Sequence, residues 1–253
     1  MLKFIRKTLV IADFEIRKLL HDPTEILLRA VQPALWLLIF GQVMARTRMM
    51  PGANYLNFMS PGILAQSVLF VSIFYGIAII WERDLGLTHK FLATPTPRTA
   101  LVLGKAISAA IRCIPLMIII YILSALLSVS IIWNPINIIG VILLLSLGAI
   151  LFSTFSLIIA CLVKTRERFM GIGQIMTMPL FFASNAIYPI SIMPSWLKII
   201  SHFNPLTYMI DGMRLMMIGT PSGFSLLTDF SVLTISSIVL VIIGGYLYQR
   251  VII

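Results

Sequence analysis

Six stretches of this chain are apolar over lengths that approach or exceed a bilayer crossing. They cover about 26–44, 61–80, 100–129, 136–163, 169–188 and 230–248. A helix needs roughly 20 apolar residues to cross the hydrocarbon core. Only 11% of the chain is charged and 59% is apolar, whereas a soluble domain carries about 25% charged residues. The expected fold is an all-α polytopic membrane protein with six transmembrane helices in a single transmembrane domain, 1–253.

The segments between the runs are more informative than the runs. Over 1–22, Leu2, Ile5, Leu9, Ala12, Ile16 and Leu19 form one apolar stripe flanked by Lys3, Arg6, Lys7, Arg17 and Lys18. This predicts an N-terminal amphipathic helix lying in the membrane interface or packed on the membrane domain. No signal-peptide pattern is present there. Asp22-Pro23 reads as a cap followed by proline at the first helical position.

Residues 82–99 are the longest basic interruption between two membrane-length runs. Leu85, Thr88, Phe91 and Leu92 share one helical face, while Arg83, Asp84 and Lys90 lie off it. Thr94-Pro95-Thr96-Pro97 closes that short helix, because proline lacks a donor and pushes its predecessor out of the α region. Residues 189–229 hold two apolar pieces, about 195–203 and 206–218, split by Asn204-Pro205. Neither is long enough to span, which suits short re-entrant or interfacial helices between spans five and six.

Charge orients the chain. Twelve of the 19 Lys and Arg fall on the side of the N-terminal segment and the 82–99 loop, four on the other, and Arg29, Lys105 and Arg112 fall within the runs. The bias places both termini and that loop in the cytoplasm. The net charge of +10 therefore reads as topology and attraction to anionic lipid, with no nucleic-acid partner. Cys113 and Cys161 sit inside apolar runs and read as small buried side chains.

No Asp or Glu falls inside the six runs, with Glu25 at the border of the first, which argues against coupling to a proton or ion gradient. The motifs H-E-x-x-H and G-x-S-x-G are absent. Gly104-Lys105 resembles the end of a phosphate-binding loop, but Thr99 and Ala106 occupy positions that need Gly and Ser or Thr. The chain is expected to be no enzyme and to hold no cofactor. Any energy must come from another polypeptide.

Two blocks carry a specific resemblance. Glu82-Arg83, Gly86 and Leu92-x-x-Thr94-Pro95 resemble the E-R-x-x-G…L-x-x-T-P signature of the type-two ATP-binding-cassette exporter permeases, a family that includes daunorubicin-resistance and nodulation-type permeases. The block Pro189…Met193-Pro194-x-Trp196-Leu197, Asn204-Pro205-Leu206-Thr207-Tyr208, Asp211 and Arg214 resembles that family's outer segment. The resemblance covers essentially the whole chain. It implies a coupling helix carried by Glu82, Arg83, Gly86, Phe91, Leu92, Thr94 and Pro95 that docks on a separate ATP-binding-cassette ATPase. ATP and Mg would be bound by that partner. It further implies a connecting helix at the N-terminus, a homodimer over two ATPase subunits, contact with membrane lipid, and a prokaryotic-type inner (plasma) membrane location.

Each selected group also has a plainer reading. Glu82 and Arg83 could cap a helix and meet headgroups. Asp211 and Arg214, three residues apart, form either a surface pair or, with Asn204, Pro205 and Tyr208, an outer gate. Arg112 either snorkels or meets a polar partner on a neighbouring helix, with attraction of anionic lipid or substrate a third reading. Phe70, Phe74, Met176, Phe181 and Phe182 either line a greasy substrate path or pack and face lipid. The function expected is a permease subunit that moves an amphiphilic drug-like molecule or a lipid-linked glycan outward. The rivals are an ATP-independent carrier or channel and a membrane scaffold for a cytoplasmic partner.

Overall fold

The computed structural model describes residues 8–10, 12, 13, 17, 24–46, 54–86, 97–163, 165–220 and 223–248. All regular structure among them is helical. Nine α-helices follow one another among the described residues: α1 Thr24–Leu35, α2 Gln42–Arg46, α3 Tyr55–Asp84, α4 Arg98–Leu126, α5 Pro135–Leu162, α6 Arg166–Phe182, α7 Ser195–Phe203, α8 Pro205–Ile218 and α9 Leu226–Leu247. A π-helical stretch, Trp36–Gly41, joins α1 to α2 in one continuous rod, and a 3-10 turn at Ile190–Ile192 precedes α7. Of the N-terminal segment, Thr8–Val10, Ala12, Asp13 and Arg17 are helical. Thr8 and Ala12 are buried, Leu9 and Val10 are exposed, and Arg17 Nε donates to Asp13 one turn back at 2.9 Å. The remaining members of the expected stripe lie outside the described residues.

The helix ends follow from local chemistry. Asn54 caps α3 by accepting from the Leu56 amide at 3.0 Å, so the helix begins well before the expected 61 and carries Pro61 within it. Asn134 caps α5 in the same way, with Pro135 at the first position. Helix α4 stops at Leu126, short of the expected 129, where Ser128 turns to a positive φ of 59°. At 30 residues, α3 is about 45 Å long, more than the roughly 30 Å hydrocarbon core requires. Its last turn carries Glu82, which is buried, and Asp84, which is partly exposed.

Among the described residues, five helical segments are long and apolar enough to cross a membrane: Leu27–Arg46, Tyr55–Asp84, Arg98–Leu126, Pro135–Leu162 and Leu226–Leu247. The expected fifth span is α6, whose 17 residues reach about 25 Å. It opens on Arg166, Glu167 and Arg168, contains Pro179, and stops at Phe182. Residues 183–188 are turns, not the helix expected up to 188.

Helix α5 is the hub, packed against α3, α4, α8 and α9. Its small residues allow this, as expected of close helix contacts in lipid. Met209 of α8 occupies the space over Gly148, and a Cβ there would overlap its sulfur. Across the other face, Ser156 donates to the Ile73 carbonyl of α3 at a place where Gly76 leaves no side chain. The main core joins α3, α4, α5 and α8, and a smaller cluster of Ile79, Ile80, Leu101, Val102, Leu157, Phe169 and Tyr248 closes the bundle at the Glu82 end. By contrast α9 buries only 17% of its apolar window and the α1–α2 rod 22%, against 78% for α3. Those two helices are peripheral and present Leu, Ile and Val outward, as lipid-facing helices do.

Candidate functional site

The sequence-selected residues fall into three places, one at each end of the bundle and one along α3.

At the first end, α3 finishes as a junction of four helices. Glu82 is buried and accepts from Nζ of Lys105, about two turns into α4. Arg83 donates to the Val163 carbonyl at the end of α5 at 3.2 Å. Asp84 receives two bonds from Arg166 of α6, at 3.1 and 2.8 Å, and the Arg166 guanidinium lies 3.4 Å over the Trp81 ring. Gly86 then takes a φ of +72° and its amide returns to the Arg83 carbonyl at 2.9 Å. A positive φ after the last turn is the usual glycine stop of a helix. Phe91, Leu92, Thr94 and Pro95 lie outside the described residues. The chain re-emerges at Pro97, which precedes the first turn of α4.

Two expectations change here. Glu82 does not reach into the headgroups, because a chain segment 23 residues later supplies its buried partner. Nor are the spans free of carboxylates. Glu82 and Asp84 belong to α3, and Asp229 lies fully buried in the first turn of α9. The periodicity reading began that span at 230, four residues after the helix starts, and so left Asp229 out. Arg112 is buried on α4 with its guanidinium 4.9 Å from the Tyr75 ring of α3, the neighbouring-helix reading with an aromatic partner.

At the opposite end, Asn204, Pro205, Tyr208, Asp211 and Arg214 are brought together, but not as a surface pair. Asp211 and Arg214 are both buried and each serves other groups. Asp211 accepts from the Gly223 and Phe224 amides at 3.1 and 2.9 Å, tying the turn before α9 to α8. Arg214 donates to the Asn185 carbonyl at 2.7 Å and the Phe58 carbonyl at 3.3 Å, with its guanidinium 3.9 Å over the Phe58 ring. Burial pushes its pKa down to about 10, with Asp211 pulling the other way, so it stays charged at neutral pH. Asn204 accepts from Leu206 N at 3.0 Å, capping α8, and donates to the Leu180 carbonyl of α6 at 2.7 Å. Pro205 takes the first position of α8. Tyr208 donates to the His202 carbonyl at 2.7 Å and packs on Phe224 with centroids 4.8 Å apart. These contacts clamp α3, α6, α8 and α9 into one polar knot.

Along α3, Phe70 and Phe74 line a cavity of about 310 Å³ against α1, with Arg29, Gln32 and Gln66. The other three aromatic and sulfur candidates do not join them. Phe181 is fully buried against Trp36, with centroids 6.1 Å apart, so it is a core residue. Phe182 is exposed and Met176 half-buried on α6. What the sequence reading missed was Gln66, Lys105, Asp84, Arg166, Asn185 and Asp229. Only proximity across helices singles them out.

Comparison with known proteins adds a family. The model described as ABC-2 type transporter matches residues 6–218, which takes in both ends of the bundle. The ycf38 chain of Cyanophora paradoxa, named as a transport permease, is 29% identical over 216 residues, covering 83% of this chain and 74% of that one. The inner membrane transport permease YadH of Escherichia coli K12 is 26% identical over 226 residues, covering 85% and 84%. The daunorubicin resistance ABC transporter permease protein DrrB1 of Streptomyces coeruleorubidus is 24% identical over 204 residues, covering 81% and 72%.

Proposed function

The chain belongs to the ABC-2 type transporter family, and from that premise we propose that it is the permease half of an ATP-driven exporter. A permease role in a multi-pass inner membrane protein is what the family and the named relatives support. The finer reading is this. Two copies pair in the membrane over a separate ATP-binding-cassette ATPase, which binds ATP and Mg. Both termini are cytoplasmic, and the 82–99 segment docks on that ATPase. The cargo is an amphiphile, drug-like or lipid-linked glycan, moved outward. Asn204, Pro205, Tyr208, Asp211 and Arg214 form the outer closure. Phe70 and Phe74 line part of the cargo path.

One observation carries the coupling. The end of α3 that leads into the loop is bonded to α4 through Glu82, to α5 through Arg83 and to α6 through Asp84. A push delivered at the loop is thereby passed to four helices as a rigid-body movement. No nucleotide motif in the chain offers a second entry for energy. Copurification with an ATPase subunit tests the partnership. The dock is wrong if Glu82→Ala and Arg83→Ala leave partner binding and coupled ATP hydrolysis unchanged.

Asp229 favours one rival. A buried carboxylate in a membrane helix is the kind of group a gradient-driven carrier uses. Proton-driven flux in liposomes holding this chain alone would establish that rival in place of the exporter.

A further inference from the structure

A half-open groove runs beside α9 at the middle of the bundle. Helix α5 supplies Leu151 and Phe155 to its wall, α6 Leu180, α8 Pro205, and α9 Ser236 and Val239. Its volume is about 380 Å³, within the roughly 300–1,000 Å³ of small-molecule sites. Among the described residues that line it, Ser236 is the one polar side chain. The apolar face of the α1–α2 rod differs, because that rod alone lines it. A groove walled by four helices can surround what enters it.

The helix that borders the groove is held at three points. At one end Asp211 of α8 accepts from the Gly223 and Phe224 amides just before α9. At the other, a Cβ on Gly245 would overlap Thr99 at the start of α4, and Tyr248 is wholly buried. Between them Ser237 donates to the Leu147 carbonyl of α5 at 3.3 Å. Fixed in this way, α9 does not swing inward to close the gap to α6.

The wall chemistry selects the occupant. An ordered water needs two to four polar partners, and this wall offers one hydroxyl. An empty groove leaves its lining atoms without dispersion partners. Leu151 and Val239 lie near the middle of helices of 28 and 22 residues, which is hydrocarbon depth for a spanning helix. A helix from a second copy is too wide, since one turn with its side chains displaces about 500 Å³. We propose that the groove seats a single acyl chain of a bilayer phospholipid, which completes the packing between α6 and α9. The inference is independent of the cargo and of the exporter reading.

The test needs neither ATPase nor transport, so its failure leaves the exporter reading standing. The chain is placed in phosphatidylcholine nanodiscs with a trace of phosphatidylcholine carrying a diazirine near the end of one acyl chain. A parallel sample carries the diazirine on a free fatty acid. Phe155 and Leu180 are expected to be labelled by the phospholipid probe at least as strongly as Ile238, which is exposed on the outward side of α9. Ser236→Phe and Val239→Phe each fill the groove, and either should abolish labelling at Phe155 and Leu180 while Ile238 stays labelled. Ile238→Phe should leave Phe155 and Leu180 labelled, with thermal unfolding reporting that each variant is folded. Wild-type protein unlabelled at Phe155 and Leu180 overturns the proposal. So does labelling there that survives in the folded filled variants, because bulk lipid then reaches those residues by another route. Labelling by the fatty acid alone gives the groove to a free amphiphile, and disulfide crosslinking of Val239→Cys between copies gives it to a second chain. Either result also overturns the proposal.

Discussion

Lys105, near the start of α4, donates to Glu82 in the last turn of α3, and both side chains are almost wholly buried. The two residues stand on either side of the segment that connects their helices, so the pair ties the end of α3 to the start of α4. A pair this deep is costly to desolvate and contributes little net stability, yet removing one partner strands a charge. Its structural effect is to fix the separation of two helix ends that a cytoplasmic motor would push.

The first prediction concerns that pair. Lys105→Ala should destabilise the protein by about 3–5 kcal/mol, and Glu82→Ala by a similar amount. Lys105→Leu combined with Glu82→Leu should recover most of the loss. Thermal unfolding in detergent measures all of them, and a double-mutant cycle isolates the coupling. Strict additivity would show that the two groups do not act together.

The neighbouring contact should behave differently. Asp84 and Arg166 are each about a third exposed, so their pair is worth roughly 0–1 kcal/mol. Asp84→Ala should therefore barely move the melting temperature. In the assembled transporter it should still lower cargo-stimulated ATP hydrolysis, because it frees α6 from the end of α3. A normal hydrolysis rate with α6 uncoupled would remove α6 from the path of force.

Helix approach gives a contrast within one residue type. A side chain at Gly76 would overlap Ser156 and press on Phe169, so Gly76→Leu should cost about 1–3 kcal/mol by overpacking. Gly171 on α6 has nothing within 4 Å of where its Cβ would stand. Gly171→Ala should stabilise the isolated chain by up to about 1 kcal/mol through helix propensity. Should Gly171→Ala instead weaken self-association in a crosslinking assay, a second copy packs on that face.

Helix positions were largely legible before the structure, because apolar length and capping residues are local signals. Asn134-Pro135 and Asn204-Pro205 begin helices where they were expected, and the two short pieces at 195–203 and near 206–218 are the helices α7 and α8. What could not be read was which residues face each other. Lys105 looked like a charge near a helix start until α4 was set beside α3. Asp211 and Arg214 looked paired because three residues is one helical turn, yet each turns to a separate backbone. Phe181 and Phe70 shared a composition argument that only packing separates. At 169–188 the expected span is shorter in the structure, where apolar character continues past Phe182 but the helix that contains Pro179 ends and turns follow at 183–188. Phe91, Leu92, Thr94 and Pro95 keep their sequence-based assignment to the ATPase dock as a proposal.

The last prediction separates the two buried aspartates and the arginine between helices. Asp211 holds two backbone amides, and hydrogen bonds to a charged group are worth about 1.5–3 kcal/mol. Asp211→Ala should therefore destabilise clearly. Asp229 sits fully buried with both carboxylate oxygens lacking a hydrogen-bond partner among the described residues. Replacing an unsatisfied buried polar group by an apolar one of similar shape is nearly neutral or stabilising, so Asp229→Leu should hold or raise the melting temperature. For Arg214, Lys is a poor substitute, because a point charge cannot span the Asn185 and Phe58 carbonyls and stack on the ring. Its pH signature follows from the lowered pKa of about 10. Below that value Arg214 is charged in both folded and unfolded chains, so the stability difference between wild type and Arg214→Met should stay constant from about pH 5 to 9. Above it the unfolded chain binds more protons than the folded one, and the wild type should gain stability relative to the variant as pH rises further. A difference that instead varies between pH 5 and 9 would mean that some other group near Arg214 titrates there.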